Sequence, residues 1–510
     1  MNNYRKILFK HLDGIVCIPT ILAFQKIEII DFILTKKIFS INDILNEKEV
    51  SPGYLSISLR TLRSLDIIDF KPQNNELNHK YIIKNNFYLI FNEIKKINNI
   101  QKLLINHNKF IYLSDYELSD YLDAILKINL SELKNQSTES HCNYIEGIII
   151  GPLLANLSFY KYINLDLKNR IVTINIKNRF KEKIYKIFKN RDYLDSNNKL
   201  SIKGEYFLSK SSSYGVTVSY LNTLNNIDKM LTIEPDFIWK RTVDNHEIHV
   251  NRSMNVWGSG GAHKTYFKKI DKIIIRIFNQ DINKQPEGII DVGCGDGSFL
   301  KHVYEVIMTK TIRKKYIKKY PLTLIGTDIN KKARKSSRET LKDINSYIIE
   351  GNISNPSKIN KTIKESYGLD LENFVNCRTF LDHNRIFQKT EMFIEHDIFS
   401  TGNFCFKGEI ISSYDLISNF ILHMLSWKQY IKKFGLIIIE LHTLKPEITK
   451  NNLGNTLACA YDATHGYSDQ YLIEYEVFKK CINYLGMKIT KENEYLFPKE
   501  IPTVSINYIK

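Results

Sequence analysis

The sequence is poor in the features that mark secreted and membrane-spanning proteins. Its 510 residues include only seven cysteines, which are scattered, odd in number and free of any CxxC pair. Neither a disulfide framework nor a cysteine zinc site is indicated, and this favours a reducing compartment. The N-terminus lacks an apolar run followed by a small-residue cleavage site, and no stretch approaches ~18 uncharged apolar residues. We therefore expect a cytoplasmic protein with no membrane partner.

Glycine and proline are also scarce, with 22 and 11 residues, whereas lysine, isoleucine and asparagine are abundant. Lys and Arg total 72 against 55 Asp and Glu, which gives a formal net charge of +17. A basic protein of this size suggests nucleic-acid binding. The bias toward Lys, Ile and Asn is also typical of an AT-rich coding sequence, and we take that bias as the main source of the charge.

Residues 1–110 have the pattern of helices followed by a small winged-helix domain. A short helix, a turn at residues 51–53 and a second, leucine-rich helix precede a polar break that resembles a hairpin wing. Such a domain either reads DNA or dimerises. Because Arg60 and Arg63 stand among apolar residues, the second helix is not strongly basic, and we favour dimerisation into a homodimer. Residues 111–255 predict a mainly helical lid or accessory region.

Residues 256–510 alternate short β-rich runs with charged amphipathic segments. The runs are GIIDVG, LTLIGTDI, SYIIEGNI, NFVNCRTFL and GLIIIELH. Strands that alternate with helices in this way are typical of a doubly wound, Rossmann-like α/β sheet. The sequence therefore predicts an α/β catalytic domain that follows the winged-helix domain and the lid.

The most informative motif is the segment IIDVGCGDGS, in which a buried strand leads into a turn carrying Gly293, Gly295 and Gly297. Glycines let the backbone turn tightly and approach a ligand at the N-terminus of the following helix. The next strand ends in Asp328, which is placed to accept hydrogen bonds from the hydroxyls of a ribose. The motif lacks the third glycine of the dinucleotide fingerprint G-x-G-x-x-G, so it indicates a different nucleoside cofactor.

This E/DxGxGxG form resembles motif I of class I S-adenosylmethionine-dependent methyltransferases. The resemblance implies that Asp291 and the three glycines shape the methionine end of the cofactor site. It also implies that Asp328 binds the ribose and that Asn352 lies near the adenine.

Candidate reaction residues share a position at the C-terminal ends of predicted strands or in the loop that follows, where open sheets gather their substrates. They are Asp382, His383, Glu440, His442, His465, Asp469 and Gln470. A positioned His can remove a proton from the methyl acceptor. Asp, His and Gln on separate loops could instead form an octahedral site for a divalent iron, manganese or magnesium ion. Each His can equally be a structural hydrogen-bonder, and we expect His423 to be a helix residue.

The segments NVWGSGGAH, CRTFLDHNR, IELHTL and ATHGYSDQY resemble methyltransferases of polyketide assembly lines, in particular the metal-dependent type that builds the apratoxin starter unit. The resemblance implies a mononuclear metal ion, and we carry its ligands onto Asp382, His383, His465 and Gln470. His383, His442 and Asp382 are then the expected catalytic residues. The implied substrate is a polyketide-type small molecule, methylated on a hydroxyl oxygen or an activated carbon. Since no carrier-protein segment is recognisable, an acyl carrier protein would present it in trans.

Two alternatives belong to other classes. A nucleic-acid methyltransferase would use the winged helix and the basic surface, but the sequence lacks a DPPY or NPPY motif and a Pro-Cys nucleophile. These absences disfavour nucleic acid as a partner. A non-catalytic regulator would keep only the winged helix, but the intact Asp291, the motif glycines and Asp328 argue against decay of the cofactor site.

Overall fold

The computed structural model describes residues 2–97, 100–129, 139–243, 246–392 and 394–510, without the side chains of Asn2 and of residues 261–264. The chain forms two compact units. Unit 1 contains Met1–Gly261, Asn403–Ile411 and Lys445–Asp469, and unit 2 contains Ala262–Gly402, Ser412–Leu444 and Gln470–Lys510. The boundaries near residues 110 and 255 that we expect from the sequence stay a prediction.

Unit 1 is mainly helical. Its helices are Asn2–Lys26, Ile29–Lys36, Ile41–Leu45, Pro52–Ser64, Asn85–Lys96, Ile100–Asn108, Asp115–Lys127, Glu139–Phe159, Asn178–Asn190, Ile202–Ser209, Gly215–Ser219, Leu221–Leu224, Ile227–Leu231, Pro446–Lys450 and Ala458–Gly466. A further long helix, Arg252–Phe278, runs across the sequence boundary between the units.

The helix Asn2–Lys26 lies in the core of unit 1. By length and composition alone, Asn3–Lys26 could cross a membrane, since its most apolar window has a mean hydropathy of 1.7. However, 83% of that window is buried inside the protein, as in the central helix of a folded core. The helix contacts Glu139–Phe159 so closely that a Cβ atom on Gly14 would lie 2.1 Å from the carbonyl oxygen of Tyr144. Glycine is required at this crossing because any side chain would collide with the backbone of the partner helix.

Residues 29–83 of unit 1 contain short helices and a small three-stranded sheet. Strands β1 (Ile38–Phe39), β2 (Ile68–Lys71) and β3 (Lys80–Ile83) pair in the antiparallel order β1-β3-β2. The helix Pro52–Ser64 precedes the β2–β3 hairpin, and the Ser51 side chain caps its N-terminus. That helix is buried along most of its length, so it is a core helix of unit 1. Two more hairpins in unit 1 pair strands β4 with β5 (Ile163–Asp166, Ile171–Ile174) and β10 with β11 (Phe404–Phe406, Glu409–Ile411).

Unit 2 contains the α/β sheet. Its strands are β6 (Gly288–Val292), β7 (Thr323–Asp328), β8 (Ser346–Glu350), β9 (Phe374–Thr379), β12 (Leu436–Leu441), β13 (Ile489–Phe497) and β14 (Val504–Ile509). Their order is β13-β14-β12-β9-β6-β7-β8; strands β6–β9 and β12 are parallel, and β14 is antiparallel to β12 and β13. The predicted doubly wound α/β fold is confirmed.

Helices cover both faces of this sheet. They are Ser298–Lys310, Arg313–Tyr316, Lys331–Thr340, Pro356–Tyr367, Ser413–Ile431 and Tyr475–Tyr484. Successive residues of β6 point to opposite faces, so Ile289 joins one apolar cluster with Phe299 while Ile290 joins the other with Trp427. The strand order changes direction between β6 and β9, and the crevice at such a switch point is where open α/β sheets bind ligands. This position locates the candidate site.

Candidate active site

The loop between β6 and the helix Ser298–Lys310 is shaped by three glycines with positive φ. Gly293, Gly295 and Gly297 have φ values of 79°, 54° and 80°, which residues with a side chain rarely adopt. The amides of Gly293 and Cys294 donate to the carbonyl of Thr327 in β7, at 2.8 and 3.0 Å. None of the described atoms lies within 4 Å of a Cβ built on Gly295. The loop is therefore fixed to β7 and leaves open space above Gly295 for a ligand.

Asp328, at the end of β7, lies against this loop as the sequence predicts. Its Oδ2 accepts from the amide of Gly295 at 3.1 Å, and its Oδ1 accepts from the amide of Asn330 at 2.8 Å. Asn352 follows β8 and is exposed, and its Oδ1 accepts from the amide of Ser354 at 2.9 Å. The acidic residue that is expected to bind the ribose therefore adjoins the glycine loop.

Asp291 is the buried acidic residue of the loop, with an exposed fraction of 1%. Within the part of the chain that the structure describes, neither carboxylate oxygen has a hydrogen-bond partner. Burial, together with the nearby carboxylates of Asp328 and Asp296, raises the pKa of Asp291 well above its ordinary value. A buried carboxylate without a donor fits a ligand that brings one, and S-adenosylmethionine carries an ammonium group. The residues present therefore fit this cofactor.

A histidine–carboxylate pair stands beside the cofactor loop. His383 follows β9, and its Nδ1 lies 2.5 Å from Oε1 of Glu440 in β12. The backbone amide of His383 donates to the other oxygen of the same carboxylate at 3.1 Å. A Cβ on Gly293 would lie 2.8 Å from the side chain of Leu381, in the turn that leads to His383. The pair and the loop therefore adjoin at the switch point of the sheet.

Asp382 does not have the surroundings of a metal ligand or a reacting group. Its Oδ1 accepts from Arg378 at 2.6 Å and from Nε2 of His423 at 2.9 Å. Burial opposes ionisation of this carboxyl, but Arg378 and His423 outweigh the burial and hold the pKa of Asp382 well below its ordinary value. His423 lies in the helix Ser413–Ile431, as expected, but its ring is part of this network. Asp382 is therefore an ion-paired buried group.

His442 differs from the expected base. Its Nδ1 donates to the carbonyl of Ile473 at 3.1 Å, and its Nε2 accepts from the hydroxyl of Ser505 at 2.7 Å. The ring is fully buried, and burial lowers the pKa of His442 to about 4. Since both ring nitrogens are used inside the fold, the geometry favours a structural role for His442 over the base or support role that the sequence suggested.

The expected metal ligands do not form a metal site in the structure. His465 lies in unit 1, where its Nδ1 donates to the helix carbonyl of Tyr461 at 2.7 Å, while Gln470 lies in unit 2. Among the side chains that the structure describes, which exclude those of residues 1–2, 98–99, 130–138, 244–245, 261–264 and 393, no group of three or more His, Cys, Asp or Glu could hold a metal ion. The proposed ligand set does not fit, because Asp382 already accepts from a guanidinium and an imidazole.

The neighbouring Asp469 also has a structural environment. In unit 1 its carboxylate accepts from the hydroxyl of Tyr54 at 3.0 Å and from the indole nitrogen of Trp239 at 2.7 Å. Burial raises the pKa of Asp469 to about 6. These contacts tie the loop after the helix Ala458–Gly466 to the rest of unit 1.

Sequence reasoning missed one member of the site, Arg378, and the partner of another, Glu440. Arg378 lies inside β9, where a basic residue is unexpected, and it is fully buried. A lone Arg in an apolar strand, four residues before an Asp, is a signal that could have identified the pair. Glu440 was recognised at the end of a strand, but only the structure shows that it pairs with His383.

Family comparisons agree with this geometry. The AprA MT2-like domain model matches residues 247–508, the AprA N-terminal domain model matches residues 4–70 and the AprA winged helix domain model matches residues 146–233. A winged-helix domain is thus confirmed by the family match, which places it at 146–233, whereas the sequence pattern suggested residues 1–110. No curated protein matches the chain.

Solved structures give only distant likenesses. The CurJ carbon methyltransferase is 10% identical, with 83% of this chain and 95% of that chain covered and a TM-score of 0.34. The NcsB1 O-methyltransferase from neocarzinostatin biosynthesis, in complex with S-adenosylmethionine, is 9% identical, with 81% and 95% covered and a TM-score of 0.31. An O-methyltransferase family 2 protein from Planctomyces limnophilus is 7% identical, with 100% and 94% covered and a TM-score of 0.34.

The glycine loop of β6, the carboxylates of Asp291 and Asp328 and the family match over more than half of the residues lead to one conclusion. The chain belongs to the AprA MT2-like family and is an S-adenosylmethionine-dependent methyltransferase.

Proposed function

We propose that this methyltransferase acts on a polyketide-type intermediate and that His383 is the base that deprotonates the methyl acceptor. The single observation that carries the proposal is the buried His383–Glu440 pair beside the cofactor loop. An alcohol or an acidic carbon must lose its proton to become a good nucleophile. A histidine held by a carboxylate is a suitable group to remove that proton.

The mechanism uses the two nitrogens of the His383 imidazole ring differently. S-adenosylmethionine supplies the electrophilic methyl group on its sulfonium. Nδ1–H of His383 donates to Glu440, and this bond selects the tautomer in which Nε2 accepts the acceptor's proton. Glu440 then stabilises the imidazolium that forms, and the orientation of the ring does not change. With S-adenosylmethionine bound, the acceptor's electron pair would form the new bond to the methyl carbon as the methyl–sulfur bond breaks, and S-adenosylhomocysteine would leave.

The acceptor that we propose is a hydroxyl oxygen or an activated carbon of an intermediate that is free or bound to an acyl carrier protein. The formal charge of +17 supports attraction to an acidic carrier or an anionic intermediate. The homodimer and the cytoplasmic location stay predictions.

The proposal is tested by methyl transfer from labelled S-adenosylmethionine to polyketide acyl groups, free and on carrier proteins. We expect His383→Ala and Glu440→Gln to lower kcat by about 10²–10⁴-fold, the usual contribution of a general base. Calorimetry should show that both variants bind the cofactor like the wild type. His302→Ala, which removes a histidine that pairs with Asp271 and not with Glu440, is the matched control. Wild-type kcat in His383→Ala would overturn the proposal.

Metal dependence is tested in the same assay. Since proton transfer through His383 and Glu440 needs no cation and the expected ligand set does not fit, we expect turnover to persist in EDTA. Loss of turnover in EDTA, with recovery on addition of iron, manganese or magnesium but not of calcium, would contradict this. Such a result would restore the metal prediction for His383, His465 and Gln470.

A further inference from the structure

Asp382, the residue before the proposed base, connects β9, the helix Ser413–Ile431 and the turn after β9. Its side chain accepts from Arg378 of β9 and from His423 of the helix Ser413–Ile431. Its backbone carbonyl accepts from Nη1 of Arg385 at 2.9 Å. The residue that precedes His383 is therefore held through both its side chain and its backbone.

The backbone of His383 is held as well. Its amide donates to Glu440, and its carbonyl accepts from the amide of Tyr471 at 2.8 Å. Asp382 and His383, the first two residues of the turn, are thus held by β9, β12, the helix Ser413–Ile431 and the segment that contains Tyr471. A rotation of this turn would move the imidazole and break several bonds at once.

Arg378 and Asp382 form an ion pair in the interior of unit 2. Arg378 is fully buried, and its guanidinium lies over the ring of Trp427 at 4.1 Å. Burial lowers the pKa of His423, so the ring that donates to Asp382 is neutral near pH 7. Glu440 of β12 also acts on Arg378, and Arg385 of the turn lies close enough to Asp382 and Glu440 for their charges to act on it. Asp382 therefore supplies the counter-charge that lets Arg378 stay buried behind the turn.

We propose that Asp382 is a positioning residue for methyl transfer and that Arg378 and His423 act through it to hold His383 in its reactive orientation. This inference rests on the proposed role of His383 as the base. Arg378, His423 and Asp382 need not touch the cofactor or the acceptor for this role. Their effect is on the geometry of proton transfer, which appears in kcat and not in substrate binding.

The test uses two substitutions at His423, because removing Arg378 or Asp382 would leave a buried charge without its partner and could unfold the protein. Gln keeps an N–H donor close to the position of Nε2, whereas Phe keeps the ring but has no donor. We expect His423→Phe to lower kcat by at least about tenfold, the effect of a misplaced reacting group. We expect His423→Gln to stay within about threefold of the wild type, because the bond to Asp382 is retained. The KM values for the cofactor and the acceptor should change little in both variants.

A double-variant cycle separates positioning from a general loss of folding. If His423 acts through His383, His423→Phe lowers kcat in the wild type but has no further effect in His383→Ala. Asp415→Asn is the matched control, since Asp415 contacts the capping Ser412 of the same helix but not the turn. It reports on helix destabilisation alone. Thermal unfolding and cofactor binding confirm that each variant is folded.

The outcomes distinguish the inference from the proposed function. Wild-type kcat in folded His423→Phe, together with loss of kcat in His383→Ala, would overturn the positioning role and leave the base intact. An additive loss in the double variant would also overturn it. Full activity of His383→Ala would overturn the proposed function, and the inference with it.

Discussion

At the scale of single residues, two histidines at the ends of neighbouring strands illustrate how environment decides role. His383 and His442 follow similar apolar strands and are both buried. His383 contacts a carboxylate, which can stabilise a protonated ring, whereas His442 contacts a carbonyl and a hydroxyl. The first environment suits a base and the second suits a neutral structural ring.

This difference leads to a prediction for His442→Gln. Its kcat should remain within about threefold of the wild type, because the group does not reach the acceptor. Its free energy of unfolding should be lower at neutral pH, because one of the two buried hydrogen bonds is lost. Urea unfolding and the methyl-transfer assay measure the two effects. A loss of kcat as large as that of His383→Ala would contradict the structural role.

The same variant should change the pH dependence of stability. The folded pKa of His442 is about 4, below the unfolded value of 6.5, so the unfolded chain binds a proton that the folded protein does not. The wild type should therefore lose up to about 3 kcal/mol through this group as the pH falls through that interval. Replacing His442 lowers by one the number of protons that the unfolded state binds in excess of the folded state. The free energy of unfolding of the variant should therefore fall less steeply as the pH is lowered. An unchanged slope would contradict the pKa shift.

Much of the cofactor site could be predicted from the sequence, but less of the reaction site. Gly295 and Asp328 are linked by a short motif whose geometry is local to two adjacent strands. The partners of Asp382 come from a strand and from a helix 41 residues further on. No local sequence pattern specifies such a contact. From the sequence alone, Asp382 and His383 therefore fit a metal site as well as they fit a buried network.

At the scale of elements, two glycines of the loop after β6 have different surroundings, one packed inside the fold and one facing open space. A Cβ on Gly293 meets Leu381, whereas a Cβ on Gly295 enters open space. Both positions have positive φ, and a side chain there costs about 1 kcal/mol or more in backbone strain. The added collision at Gly293 should make its substitution the more destabilising of the two.

We therefore expect opposite patterns for Gly293→Ala and Gly295→Ala. The first should lower the thermal unfolding midpoint by several degrees, as about 1 kcal/mol or more does for a domain of this size. The second should change stability less but weaken cofactor binding about tenfold or more, because its methyl group occupies the ligand's space. Thermal unfolding and calorimetry provide the comparison. Equal effects of the two variants on both measurements would show that the loop does not divide these roles.

The strands that the sequence pattern predicted are the short β-rich runs that alternate with charged amphipathic segments. All five runs became strands of the sheet, as β6, β7, β8, β9 and β12. Strand β14 was missed although its sequence, VSINYI, alternates apolar and polar residues as a half-exposed strand does; in the structure all six residues are buried. Ser505 and Asn507 are satisfied inside the fold, and Ser505 donates to His442. A strand buried on both faces is usually a continuous apolar run, and buried polar residues such as Ser505 and Asn507 remove that signal.

At the scale of the whole molecule, the sequence order and the compact units do not coincide. Segments 403–411 and 445–469 lie within the C-terminal half of the sequence but belong to unit 1. In the second segment, Tyr467 is fully buried, and its hydroxyl lies 2.8 Å from that of Ser58 and 3.1 Å from that of Thr20. Asp462 forms a buried ion pair with Arg60. These contacts join residues about 400 positions apart, and the ends of the two segments show no change in composition. The sequence therefore led us to expect three consecutive domains.

The interleaving predicts that the catalytic sheet is not well folded when it is expressed without unit 1. A fragment that begins at residue 262 would still carry both inserted segments, and the side chains of Cys405, Cys459, Ala463 and Tyr467 would lose the core that buries them. Exposed apolar surface of this kind leads to aggregation or to binding of apolar dyes. The buried Asp462 would also lose its partner Arg60, which is costly for a carboxylate. We expect the fragment to bind the dye ANS and to unfold without a sharp transition, while the full chain does neither. A monomeric fragment that excludes ANS and binds the cofactor as tightly as the full chain would show that the inserted segments are dispensable for unit 2.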